Sequence, residues 1–353
     1  MYAYVGCFTT PQRKARGKGI SVYHVNASSG HWRLVQIFPT LDNPGYLVAD
    51  PTQNFLYACH GDGDSISAYQ IDKSNGHLSF LNKQHCQGDN APHLMIEPSG
   101  RFVVIANGPG IALIPREKNG LLLPLTEALV PQGVEGPYKR EQGLGAHPHQ
   151  VIMDPSGRFL LCPDKGVDAI HLFQIDLKNG RLIVHDPACT KTRYGAGPRH
   201  MVFHPQRALA YVINELDSTL TTYEWDAIKG RLIPRHIVPT TPPHFTGDNT
   251  GAEIVISADG RHIYISNRGH NSIATFQLDP QDGTPQAIDW QPTQGEKPRF
   301  FTLDPSAQKL FVANEDSDTI VEFKIDPGSA IPQASGLIIS TPSPSCVVFC
   351  HSI

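Results

Sequence analysis

The sequence predicts an all-β fold: a seven-bladed β-propeller of four-stranded antiparallel blades, its ring closed by pairing of the N- and C-terminal strands. Three observations predict it. A turn-forming signature recurs six times, the block around each copy reads as four short strands, and the two chain ends carry complementary fragments of one further block.

The signature appears as Asp50-Pro51, Glu97-Pro98-Ser99-Gly100-Arg101, Asp154-Pro155-Ser156-Gly157-Arg158, His204-Pro205-Gln206, Ser257-Ala258-Asp259-Gly260-Arg261 and Asp304-Pro305-Ser306. Counted on the second residue of each copy, the spacings are 47, 57, 50, 53 and 47 residues. Unrelated loops do not keep such a period, whereas radial and solenoid arrays do.

Within a block the first strand precedes the signature, as at 150–153 and 200–203, and a second apolar, β-rich run follows it, as at 159–162 and 262–266. A polar loop leads to a third run, 219–225 or 319–325, whose alternation with period two marks a strand. Asn75-Gly76, Asn179-Gly180 and Lys229-Gly230 then supply the turn of a short hairpin into a fourth run such as 181–184. Four antiparallel strands make a propeller blade. At the N-terminus, residues 2–6, 20–25 and 32–36 read as second, third and fourth strands with no first, and 345–349 read as a first strand with nothing after it. Joining the two ends gives a seventh blade and pairs the edge that an open array would leave exposed.

Length alone would suggest two or three domains for 353 residues, but a closed ring is one body, so residues 1–353 are expected to form a single domain. The 31 Gly and 30 Pro suit a turn-rich β fold, and 18% charged with 40% hydrophobic residues is an ordinary globular composition. A formal net charge of −4 offers nucleic acid no global attraction. No segment approaches the roughly 18 apolar residues of a membrane span, and residues 1–8 read as a strand rather than a signal peptide, so no membrane and a cytoplasmic setting are expected. Seven cysteines, an odd number without CxxC spacing, are read as reduced packing residues.

In a propeller, the loops leading into first strands and those leaving second strands converge on one face. Here they bring together imidazoles (His93, His147, His149, His200), guanidiniums (Arg199, Arg268, Arg299) and carboxylates (Glu215, Glu253, Glu315). Guanidiniums bind carboxylate or phosphate in pairs of hydrogen bonds and can hold a developing oxyanion. Imidazole moves protons near neutral pH, and a carboxylate can orient it or act as a base itself. Arg199, Glu215 and Arg268 are not common to all the repeats, which favours a functional role. Asn107, Asn214, Asn267 and Asn314 recur at one position and are read as structural partners of loop backbone. His147 and His149 flank Pro148 in an extended stretch, so their side chains share a face.

At these residues the chain resembles the seven-bladed propeller lactonases, a family that includes propeller-type 6-phosphogluconolactonases and carboxy-cis,cis-muconate cyclases. The most specific stretches are His147-Pro148-His149 running to the Asp154 signature, Gly197-Pro198-Arg199-His200 running to Asn214-Glu215, Ala252-Glu253-Ile254 running to Asn267-Arg268, and Lys297-Pro298-Arg299-Phe300 running to Asn314. The resemblance implies a catalytic set of His147, Arg199, Glu215 and Arg268. Lys165 stands where the family usually has an apolar residue and is read as a solvated loop residue rather than part of an anionic subsite.

The implied activity is hydrolysis of a sugar lactone, with 6-phosphogluconolactone the best substrate and the pentose phosphate pathway its setting. The substrate partner is thus a small anionic lactone. His147 is expected as general base or acid, and Glu215 as its partner or the alternative base. Arg199 and Arg268 would clamp the oxyanion and substrate anion, with His149, His200, Arg299 and His93 as substrate contacts. The scheme needs no cofactor and no metal. Two alternatives stand beside it: a cycloisomerase of the muconate-cyclase type, and a noncatalytic ligand-binding or interaction propeller.

Overall fold

The acidic residue of the recurring signature closes its own turn. Asp50 Oδ1 accepts the backbone N–H groups of Asn54 and Phe55 at 2.9 Å each, and Asp154 Oδ1 accepts those of Arg158 and Phe159 at 2.9 and 2.8 Å. Asp304 does the same for Gln308 and Lys309, while Ser257 Oγ substitutes in one of the two repeats that lack the acid. A short side-chain acceptor replaces the ladder partners that the turn removes, which is why Asp or Ser recurs at this point.

The computed structural model describes residues 1–351 apart from Ala27 and Leu144. Its strands form seven four-stranded antiparallel sheets, each sheet one blade. The first blade is built from both ends of the chain: Pro344–Cys350 pairs with Tyr2–Cys7, followed by Ile20–Val25 and Trp32–Phe38. The shared blade expected from the sequence is therefore present, with Tyr4 opposite Val348.

Blades pack face to face, so second strands are buried on both sides; Tyr2–Cys7 is buried at every position. One interface joins Tyr211, Ile213 and Leu220 of the fifth blade to Ile254, Ile263 and Ile265 of the sixth. Each such aliphatic side chain contributes about 1.5–3 kcal/mol on burial. A recurring polar fastener accompanies this packing. The hydroxyls of Tyr4, Tyr57, Tyr211 and Tyr264 each donate to a carbonyl in the hairpin turn of the next blade, Gly76, Gly120, Gly283 and Ala330, at 2.9 Å.

Two irregularities position the functional face. Register shifts fall immediately after the proline that opens the first strand in the second, fifth and seventh blades, between Pro44 and Tyr46, Pro198 and His200, and Pro298 and Phe300. Gly45, Arg199 and Arg299 are the extra residues, and a bulge redirects the side chain it carries. The second irregularity lies where the signature spacing reaches 57 residues. The outer strand of the third blade shrinks to Glu127–Leu129, a one-turn helix spans Lys139–Gln142, and the inner strand of the fourth blade is only Ile152–Met153. This long connection carries His147 and His149.

All seven cysteines are free thiols, six of them buried. Among the described residues, no helix is long and apolar enough to cross a membrane.

Candidate active site

His147 is placed through its backbone. The Asp164 carboxylate, fully buried at the end of the strand Leu160–Asp164, accepts the N–H of His147 at 2.8 Å and that of Gly166 at 2.9 Å. Its other oxygen lies 3.1 Å from His171 Nε2. Gly166 permits the close approach: a Cβ there would sit 1.9 Å from the carbonyl oxygen of Gly145 and 2.8 Å from His147 N. Asp168, one loop further on, accepts the N–H groups of Gly195 and Gly197 at 2.7 and 2.8 Å and so fixes the turn leading into Arg199.

These loops surround a cavity of about 200 Å³ at one mouth of the ring. Its wall includes His147, His149, Lys165, Glu215, Arg268 and Arg299. His147 is half-buried, and His149 lies beside it with ring centres 6.2 Å apart. Burial, reinforced by the Lys165 charge, lowers the His147 pKa to about 4. Burial also pushes His149 well below the usual imidazole range, helped by the Arg199 charge.

Glu215 is the electrostatic hub. Its Oε2 lies 2.9 Å from Arg199 Nε and 3.2 Å from Arg268 Nη2, and its Oε1 lies 3.2 Å from Lys165 Nζ. Burial alone would raise the carboxyl pKa, but the charges of Lys165, Arg268 and Arg199 outweigh it and hold Glu215 well below the carboxylate range. Three cations surround this one carboxylate, and two of them, Lys165 and Arg268, lie on the cavity wall with it. Arg199 is buried, and its Nη1 donates to the Ala252 carbonyl at 2.6 Å. Burial, with repulsion from Arg268, brings its pKa down to about 9. Arg268 donates to the Gly251 carbonyl at 3.0 Å, while its buried Nε has no partner.

The structure thus gathers His147, Arg199, Glu215 and Arg268, but it changes the partnerships expected for them. Glu215 makes no hydrogen bond to His147 among the described residues; it is bound to cations instead, and that electrostatic load makes it a poor proton acceptor. Lys165 is not a solvated loop residue: its side chain is 15% exposed and ion-paired with Glu215. His93 and His200 are not on the cavity wall. His200 Nδ1 lies 2.7 Å from Glu253 Oε1, its ring abuts His149 at 5.1 Å and His93 at 5.6 Å, and His93 in turn packs on Tyr46. The two imidazoles form a buried layer packed against His149, off the wall of this cavity. The recurring asparagines behave largely as expected, Asn107, Asn267 and Asn314 donating to the carbonyls of Cys86, Thr240 and Thr293. Asn214 differs, donating to the hydroxyls of Thr219 and Thr221.

Phe8 and Arg13, from the loop between the first blade's second and third strands, also line the cavity. Repeat-based reading missed both, because that loop has no counterpart in the other blades. Its unusual length is the one sequence signal that could have drawn attention to it. Among the described residues, no group of three or more His, Cys, Asp or Glu is arranged to hold a metal ion.

Residues 2–349 match the family described as lactonase, 7-bladed beta-propeller. A 6-phosphogluconolactonase from Bacillus subtilis (strain 168) is 30% identical across 99% of this chain and 98% of its own length. One from Formosa agariphila is 33% identical across 87% of each. Among solved structures, a periplasmic gluconolactonase from Pseudomonas aeruginosa superposes with a TM-score of 0.91 at 26% identity, covering 100% of this chain and 99% of that one. The chain belongs to the seven-bladed β-propeller lactonase family.

Proposed function

We propose that the protein hydrolyses a sugar lactone, 6-phosphogluconolactone being the substrate of choice, by metal-independent acid–base chemistry at this cavity. The observation that carries the reading is a neutral imidazole, His147, on the same wall as a guanidinium, Arg268, whose buried Nε has no protein partner. The names of the relatives support the phosphorylated substrate.

In this scheme His147 takes a proton from water as the water oxygen attacks the lactone carbonyl. The tetrahedral oxyanion develops beside Arg268, with Arg199 behind it, so fixed positive charge meets the charge that forms. Collapse breaks the bond between the acyl carbon and the ring oxygen, and the protonated imidazole returns its proton to the leaving alkoxide. Glu215 is the counter-ion that orients Arg199, Arg268 and Lys165, not the base. Its ionisation lets three cations share one small volume.

The test is a rate assay on 6-phosphogluconolactone and on unphosphorylated gluconolactone, against spontaneous hydrolysis, after dialysis against EDTA. Hydrolysis that survives chelation and falls in the His147→Gln variant is expected. No acceleration of either lactone would overturn the reading and favour a noncatalytic propeller, whereas loss on chelation restored by calcium would make Glu215 and Glu315 metal ligands.

A further inference from the structure

The connection between second and third strands takes two to four residues in six blades, but in the first blade it runs over residues 8–19. Its residues 9–13 are seated on the second blade and the start of the third. Asn43 Oδ1 accepts the backbone N–H groups of Thr9 and Thr10 at 2.8 and 3.1 Å. Arg13 makes a bidentate pair with Asp62, both contacts 2.6 Å, and a third bond to Asn90 Oδ1 at 2.7 Å. Glycines clear the space: a Cβ at Gly45 or Gly61 would come within 3.0 Å of Phe8 or of the Arg13 guanidinium, respectively.

This seat presents two guanidiniums against one ring. The Cζ atoms of Arg13 and Arg299 lie 4.5 and 5.1 Å from the centre of Phe8. Asp62 and Asn90 engage only Nε and Nη2 of Arg13 and set its direction while leaving Nη1 unengaged. Arg299, aimed into the cavity from its bulge, makes no hydrogen bond among the described residues. Its nearest counter-charge, Glu315 Oε2, is 4.0 Å away, and the other Glu315 oxygen is taken by Lys297 at 2.8 Å. Arg299, with 19% of its side chain exposed, thus has one counter-charge at 4.0 Å and no hydrogen-bonded acceptor among the described residues, which leaves its donors free to meet a ligand in the cavity. Neither arginine shares a hydrogen bond with the Glu215 cluster among the described residues, although both line the same cavity as Lys165, Glu215 and Arg268.

We propose that Arg13 and Arg299, held against Phe8, form the subsite for a phosphoryl group on the lactone, and that residues 8–19 are the element that confers preference for phosphorylated substrates. A phosphate monoester carries about −1.5 to −2 charge at pH 7 with three acceptor oxygens, which suits two guanidiniums better than a lone carboxylate does. The inference rests on the lactonase reading for the rest of the ligand.

The experiment measures calorimetric affinities for 6-phosphogluconate and gluconate, the products of the two lactones, in the full chain and in Arg299→Met and Arg13→Met, with a melting curve for each. The wild type is expected to bind the phosphorylated acid roughly tenfold or more tightly than gluconate, and each variant to lose most of that ratio. If Arg13→Met fails to fold because Asp62 loses its partner, Arg299→Met decides alone. Equal affinities in the wild type, or a ratio that survives Arg299→Met, would overturn the subsite. Lactone turnover by the wild type separates the two readings. Hydrolysis without phosphate preference removes the subsite and keeps the lactonase, and preference without hydrolysis does the reverse.

Discussion

The Asp164 carboxylate accepts the backbone N–H of His147 at 2.8 Å, so the imidazole proposed as base is held by its main chain while its ring makes no hydrogen bond to another described residue. The geometry leaves both ring nitrogens available to water and leaving group. It also makes Asp164 a positioning residue that touches no substrate. Asp164→Ala is expected to lower both kcat and melting temperature, since it strands the N–H groups of His147 and Gly166 at a cost of about 1–3 kcal/mol each. Asp164→Asn, which keeps an acceptor oxygen, should restore most of kcat. Equal losses in the two variants would show that the bond to His147 does not matter.

The pH dependence follows from the environment of His147. Neutral imidazole is the active form, so kcat/KM should be level through neutrality and fall as pH drops through about 4. Glu215, held well below the usual carboxylate range by Lys165, Arg268 and Arg199, is not expected to set this limb, so the acid limb should persist in any residual activity of Glu215→Gln. A limb that vanishes in Glu215→Gln would return the base role to the carboxylate.

Stability carries the same signature. His147 and His60 are both lowered by burial from 6.5 to about 4. As pH falls below 6.5 the unfolded chain takes up protons that the folded chain refuses until about 4, so melting temperature should fall across that window. A melting temperature that is flat from pH 6.5 to 4 would contradict these burial-driven shifts.

Arg268 and Arg199 should separate in their effects. Arg268→Met is expected to reduce kcat/KM by 10²–10³, the roughly 2.7–4 kcal/mol of a lost oxyanion donor, with a smaller fall in melting temperature than Arg199→Met because Arg268 is the more exposed of the two. Arg199→Met should lose activity and also stability, because Glu215 and the Ala252 carbonyl lose a buried partner. Kinetics alongside melting curves check both, and wild-type kcat/KM in Arg268→Met would remove it from the reaction.

Ring closure is testable by truncation. Deleting residues 344–353 removes the strand opposite Tyr2–Cys7 and exposes both that edge and Tyr4, Val22 and Phe311 beneath it. If the ring melts as one body, the loss should be global, many degrees rather than one or two.

The sequence by itself determined the architecture. A period near 50 residues, alternating strands, and unmatched strands at the two ends leave only a closed ring of seven blades, because period and alternation are local properties that backbone geometry must obey. It also brought His147, Arg199, Glu215 and Arg268 to one mouth, since residues beside the opening proline or at the end of a second strand occupy equivalent places around the axis. What faces what was decided only by the tertiary structure. Bulges at Arg199 and Arg299 set where those side chains point. Lys165 became part of the site because Glu215 of the next blade lies within 3.2 Å, a relationship 50 residues apart in the chain. That same cluster turned Glu215 from a possible base into a counter-ion. His93 and His200 were withdrawn behind His149 by blade packing, and Arg13 entered through a loop that breaks the repeat. Periodicity locates a residue on the ring, but charge state and exposure depend on neighbours from other blades, and those distances exist only once the ring has closed.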